Sequence, residues 1–190
     1  MKLIPPTDSL NFIVTDLHGH EFSLNDYRGK AVILSFFRNS TCPFCLKRVF
    51  DLSVQQLHWR KKGVEVICVF TSPSEELINF HKNKFDRLRV IPDPNLNLYQ
   101  QYGIEKSLSG FFKGIILRFP TMIYGFLNGA KITKNPHRTI LPADFLIDPE
   151  GSIVKLHYGT NAADNIPMEH LQNFVRDMST RKVRANSPDK

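Results

Sequence analysis

Cysteine is scarce in this chain of 190 residues: there are three. Three thiols cannot build a disulfide framework, and one left over is a liability in a secreted protein, so a reducing, cytoplasmic compartment is expected. No clean run of about 18 apolar residues exists either, so no transmembrane helix is expected. The most apolar stretch, Leu108 to Leu127, is interrupted by Lys113, Arg118 and Pro120. At the N-terminus, Met1-Lys2-Leu3-Ile4-Pro5-Pro6-Thr7-Asp8 places charge and two prolines where a signal peptide needs its apolar core. Internal repeats and nucleic-acid-binding motifs are also lacking. The net charge of +7 is spread along the chain in short clusters such as Arg60-Lys61-Lys62, which argues for solvated surface rather than a nucleic-acid partner. Zinc needs about four ligands, and apart from His18 and His20 no closely spaced histidine pair is available. Neither a metal nor a cofactor is expected.

What is present fits one soluble domain, with 42% hydrophobic and 23% charged residues. Ala31 to Phe37 is a near-continuous apolar run of the kind a strand covered on both faces requires. From Cys42 to Arg60 the apolar residues Leu46, Val49, Phe50, Leu52, Val54, Leu57 and Trp59 recur at spacings near three and four, which predicts a helix. Val64 to Phe70 is a second buried strand, completing a strand-helix-strand unit. Two of the three cysteines fall at its corner, in Thr41-Cys42-Pro43-Phe44-Cys45. Pro43 is tolerated there because a first-turn amide has no partner within the helix.

Around this unit the pattern predicts a hairpin (Asn11 to Thr15, Glu21 to Leu24). Next comes a helix capped by Ser72 and running to about Phe85, then a short strand at Val90-Ile91. A short helix opens at Asp93-Pro94-Asn95. Leu108 to Leu127 is expected to pack as a core helix, with oligomer or membrane-surface contact as the alternative, and Gly125 to Ile140 to be a loop. Ala143 to Ile147 and Ser152 to Tyr158 form a strand pair about Asp148-Pro149-Glu150-Gly151. A last helix begins at Pro167, and residues 181–190 are expected to be a disordered tail.

This order, an α/β arrangement with a central mixed sheet flanked by helices, reproduces the thioredoxin-like fold. The sequence resembles peroxiredoxin-like members of the alkyl hydroperoxide reductase/thiol-specific antioxidant family. The likeness is carried by Phe22-Ser23-Leu24 with Tyr27-Arg28-Gly29-Lys30-Ala31-Val32, by the cysteine corner, by Asp93-Pro94-Asn95 with Tyr99 and Tyr102-Gly103-Ile104, and by Leu141 to Gly151. Residues 105–140 stand as an insertion. The resemblance implies that Cys42 is the nucleophile, Cys45 the resolving thiol, and Pro142 the proline held in cis beside them. Two departures weigh against peroxide chemistry. Peroxiredoxins carry Thr or Ser three residues before the reactive cysteine, where this chain has Asn39, with Thr41 nearer. They also carry a late arginine, for which Arg138 is the nearest candidate.

A thiolate is the attacking species, and the free pairing partners at a helix N-terminus favour the anion at Cys42, while Cys45, a turn further in, should be more buried and less acidic. Arg38 is a candidate stabiliser of that thiolate, and Phe44 a substrate contact. Cys68, between Ile67 and Val69 in a strand, reads as structural. The expected function is thiol-disulfide exchange with peroxide reduction as a further activity. The substrate would be a protein disulfide or a peroxide, the electron donor of thioredoxin or glutathione type, and the assembly a homodimer. The alternative is a non-catalytic thioredoxin-fold interaction module that uses Leu108 to Leu127.

Overall fold

Every residue from Ala31 to Phe37 is buried, and the rest of the molecule is layered on the two faces of that strand. The computed structural model describes residues 2–81, 87–117, 119–128, 130 and 136–185. In chain order the strands are β1 (Thr7–Asp8), β2 (Ile13–Thr15), β3 (Glu21–Ser23), β4 (Ala31–Phe37), β5 (Val64–Phe70), β6 (Arg89–Pro92), β7 (Ala143–Ile147) and β8 (Ser152–Tyr158). The helices are α1 (Pro43–Lys61), α2 (Ser74–His81), α3 (Asn97–Gln101), α4 (Leu108–Leu117), α5 (Phe119–Leu127) and α6 (Met168–Ala185). Six strands form one sheet in the order β1-β8-β7-β4-β5-β6, and β2 with β3 makes a separate hairpin. β4 pairs in parallel with β5 and antiparallel with β7, so the sheet is mixed, and the strand expected to be central is flanked on both sides.

Alternation along the strands sorts the core into two layers. Ile33, Phe37, Val66, Cys68 and Leu146 face a layer completed by Val49, Leu52 and Trp59 of α1 and by Leu171, Phe174 and Val175 of α6. Val32, Leu34, Phe36, Val69 and Phe145 face the hairpin residues Phe12 and Phe22 together with Leu98, Tyr99 and Tyr102. Gly63, at φ 81, follows the last turn of α1 in the left-handed conformation that ends many helices, and its carbonyl accepts from the Ala31 amide at 3.0 Å.

Several expectations change. Leu24 does not close a strand: it opens a 3-10 turn (Leu24–Tyr27) that Ser23 caps together with Asp26. α2 begins at Ser74, one residue later than a Ser72 cap requires, and of the helix expected to reach Phe85, residues 82–86 lie outside the described residues. Leu108 to Leu127 is two helices, α5 taking up Pro120 in its first turn, where the missing amide is tolerated. Gly125 to Leu127 is therefore helical, and of the remaining expected loop, positions 129 and 131–135 are not among those described. The neck of the insertion is closed by a bridge between Lys106 and Ile140 and by the Leu141 amide donating to the Glu105 carbonyl at 3.2 Å. β1 is too short to leave a periodicity. α6 continues to Ala185, five residues into the stretch expected to be disordered, while residues 186–190 lie outside the described residues.

Candidate active site

β4 delivers the chain to the edge of the sheet, and the turn from Arg38 to Cys42 carries it over into α1. That turn is tied down from three sides. The Arg38 carbonyl accepts from the Thr71 amide at 2.8 Å and the Thr71 hydroxyl at 2.7 Å. The Phe37 carbonyl accepts from the Tyr99 hydroxyl, which also donates to the Val69 carbonyl at 3.0 Å. Ser40 donates from its amide to Ser72 Oγ at 3.1 Å and from its hydroxyl to Glu76, to which Ser72 Oγ also donates at 2.8 Å. Ser72 and Glu76 therefore serve the cysteine turn.

Cys42 is the N-cap of α1, and its Sγ accepts from the Cys45 amide at 3.5 Å. Arg38 lies over it: Nη2 donates to Cys42 Sγ at 2.9 Å and to the Ala162 carbonyl at 3.0 Å, and Nη1 donates to the Arg138 carbonyl at 3.4 Å. Its guanidinium also sits against the Phe44 and Phe111 rings, 5.7 and 5.4 Å from their centroids. Arg38 is 3% exposed, so this charge is held in a dry setting where it acts strongly on the sulfur. Burial by itself would push the Cys42 thiol up. The hydrogen bond with Cys45, the charge of Arg38 and the amides of Cys45 and Phe44 outweigh it and bring the thiol down to about 6. Burial and the adjacent Cys42 sulfur drive Cys45 the other way, well above the ordinary thiol range. All three cysteines are free thiols.

The other expected residues fall around this pair. Pro43 occupies the first position of α1 and packs directly on Gly125 of α5. Thr41 is buried, with its Oγ1 accepting from Asn39 Nδ2 at 2.8 Å. Phe44 is buried and lines a cleft of about 200 Å³ with Lys47, Arg48, Thr121, Asn165 and Pro167. Pro142 precedes β7, whose Ala143 pairs with Phe36, so it lies at the cysteine end of β4. The implied cis bond before Pro142 is not found: among the described residues the cis peptide is Pro5-Pro6. The trans form is the lower-energy one for a prolyl bond, and the Pro142 carbonyl is held by the Gly159 amide at 2.8 Å. Arg138 contributes its carbonyl, whereas the guanidinium on the sulfur belongs to Arg38. Cys68 is fully buried, and burial together with the charge of Asp144 pushes its thiol up.

Reading the sequence missed a buried polar group behind the site. Asp144, fully buried on β7, accepts from Ser35 Oγ at 2.6 Å and from the Ile166 amide at 2.9 Å, with Arg48 Nη2 at 3.8 Å. A signal existed: Ser35 and Asp144 fall on the same inward parity as Phe37 and Leu146 in otherwise apolar strands.

A mixed sheet flanked by helices, with a cysteine pair at the first helix after the central strand, defines a thioredoxin-like dithiol protein. The chain belongs to the AhpC/TSA family, whose model matches residues 7–156. It is 26% identical over 155 residues to thiol-disulfide oxidoreductase ResA of Bacillus subtilis, covering 81% of this chain and 67% of that protein. It is 23% identical to a Mycobacterium tuberculosis protein with a provisional peroxiredoxin name, over 94% of this chain and 96% of the relative. The crystal structure of peroxidoxin BcpB from Mycobacterium tuberculosis superposes with a TM-score of 0.63 at 14% identity, covering 96% and 97% of the two chains. The protein is an oxidoreductase of this family, with Cys42 and Cys45 close together as a redox pair.

Proposed function

We propose that the chain reduces disulfides by dithiol exchange, with Cys42 as the attacking sulfur and Cys45 as the resolving one. The observation that carries this reading is the opposite shift of the two thiols under one arginine: Cys42 is an anion near neutral pH and Cys45 is not. Cys42 thiolate attacks one sulfur of a substrate disulfide, forming a mixed disulfide and expelling the other sulfur as a thiolate that takes up a proton. The Cys42 charge is then gone, and with it the contribution that, after burial, holds the proton on Cys45. Cys45 loses that proton and attacks Cys42, forming the Cys42-Cys45 disulfide and releasing the second substrate thiol. Two electrons pass from dithiol to substrate. Arg38 stabilises the thiolate, while Pro43 and Thr41 hold the turn that aims it.

A protein disulfide is the proposed substrate because Phe44, between the two cysteines in the chain, lines a cleft with both apolar and polar walls. Pro142 is proposed to contact the same segment from the end of β7. A thioredoxin- or glutathione-type donor would return the disulfide to the dithiol, in a cytoplasmic setting and with the chain as a homodimer. Peroxide reduction is the second reading, favoured by the near full-length match to the Mycobacterium tuberculosis relative. Insulin reduction and hydrogen peroxide turnover, measured on the parent, Cys42→Ser and Cys45→Ser proteins, separate them. Exchange requires insulin reduction that both variants lose, with a trapped mixed disulfide in Cys45→Ser. Peroxide turnover without insulin reduction would make the protein a peroxidase instead.

A further inference from the structure

α4 and α5 each carry two apolar faces. One packs inward: Phe111, Ile115 and Met122 lie against the core, and Gly125 meets Pro43 so closely that an added Cβ would stand 2.2 Å from the proline Cβ. The other faces solvent as two stripes of the same spacing, Leu108, Phe112 and Ile116 on α4 and Phe119, Ile123 and Leu127 on α5, all between 44% and 81% exposed. Residues four apart lie on one side of a helix, so each stripe is continuous. Large apolar patches of this kind are uncommon on soluble monomers and mark an interaction surface.

Charge says what covers it. From Lys106 to Ala143 the chain holds Lys106, Lys113, Arg118, Lys131, Lys134 and Arg138 and not one Asp or Glu. Lys113, exposed, follows Phe112 on α4 and falls at the margin of its stripe rather than within it. A second copy fits poorly, because a two-fold interface sets this patch against the same patch, and residues 106–143 offer no Asp or Glu to pair with Lys113. An anionic bilayer fits both features: aromatic and aliphatic side chains enter the headgroup boundary while Lys113 at the margin reaches the lipid phosphates. We propose that the outer face of α4 and α5 docks the protein on anionic lipid surfaces, lying in the interface without crossing it. Because the inner face of α5 is locked to Pro43, the docked helix packs directly on α1, which Cys42 caps and Cys45 lies within.

The test is sedimentation of the full chain with vesicles of mixed phosphatidylglycerol and phosphatidylcholine, and with phosphatidylcholine alone. The parent protein is expected to partition onto the mixed vesicles and release as salt rises. A Phe112→Ser, Ile116→Ser, Leu127→Ser variant is expected to lose at least about tenfold in partition. Lys113→Gln should lose about fivefold. These side chains are at the surface, and unchanged alkylation of Cys42 checks that the variants are folded. Absence of the parent protein from mixed vesicles overturns the proposal, as does equal partition of the triple variant. So does a dimer, seen by analytical ultracentrifugation without lipid binding, that the triple variant dissolves.

Discussion

Arg38 and Cys42 are separated by one turn of chain, so a single short segment supplies both the thiolate and the charge that holds it. Arg38 Nη2 is 2.9 Å from the sulfur and buried with it, which makes this pair far less open to screening than a surface contact. Replacing Arg38 by Ala removes the charge and leaves the desolvation, so the Cys42 thiol is expected to rise from about 6 by on the order of one unit or more. The rate of iodoacetamide alkylation against pH reads this directly, and an unmoved midpoint would remove Arg38 from the mechanism. Arg38→Lys keeps a charge but loses the planar fork that also holds the Ala162 carbonyl, and should fall between the two. Cys68 provides an internal control: buried on β5 in the layer completed by α1 and α6, with its thiol pushed up, it should stay unlabelled in the native protein. Mass spectrometry that found Cys68 modified before Cys42 would contradict this burial.

Gly125 is where the insertion is joined to the active-site helix. A methyl group there would meet the Cβ, Cα and carbonyl oxygen of Pro43, and backbone cannot swing aside as a long side chain can. Gly125→Ala is therefore expected to destabilise the protein by about 1–3 kcal/mol, seen as a lower urea midpoint, with α5 displaced from α1. An unchanged midpoint would mean that the two helices slide past each other freely. Nothing in the sequence pointed to this contact, because a lone glycine within an apolar run has the same appearance whether or not a backbone lies against it. β4, α1, β5, β7 and β8 were legible for the opposite reason, since burial on one or both faces writes its own period into the chain. Leu108 to Leu127 defeated that method. Its apolar residues serve two faces at once, one against the core and one toward solvent, so the pattern suggested full burial. At the site the cysteines and Arg38 could be named from their spacing along the chain. Glu76 and Ser72 reach the cysteine turn, and Asp144 reaches Ser35 behind it, only through the fold.

For the molecule as a whole, the shifted thiol ties folding stability to pH. In the folded, reduced protein Cys42 releases its proton near pH 6, and in the unfolded chain it does so near the ordinary thiol value of 9.0. Between those values the unfolded state holds one proton more than the folded state, so stability rises with pH across that window. Below about pH 6 the thiol is protonated in both states and this contribution is absent. Cys45 is shifted upward, so it stays protonated in both states over most of the window and opposes the effect as the pH nears the ordinary thiol value of 9.0. Histidines and carboxylates titrate as well, but they do so equally in a Cys42→Ser protein, and the difference between the two proteins isolates the sulfur. Urea unfolding under reducing conditions is expected to show the parent gaining stability on that variant steadily from pH 6 to pH 9. Oxidation to the Cys42-Cys45 disulfide should abolish the gain, because Cys42 then has no proton to release. Parallel curves for the reduced parent and Cys42→Ser would show that the folded protein does not hold this thiolate, and the dithiol mechanism built on it would fall.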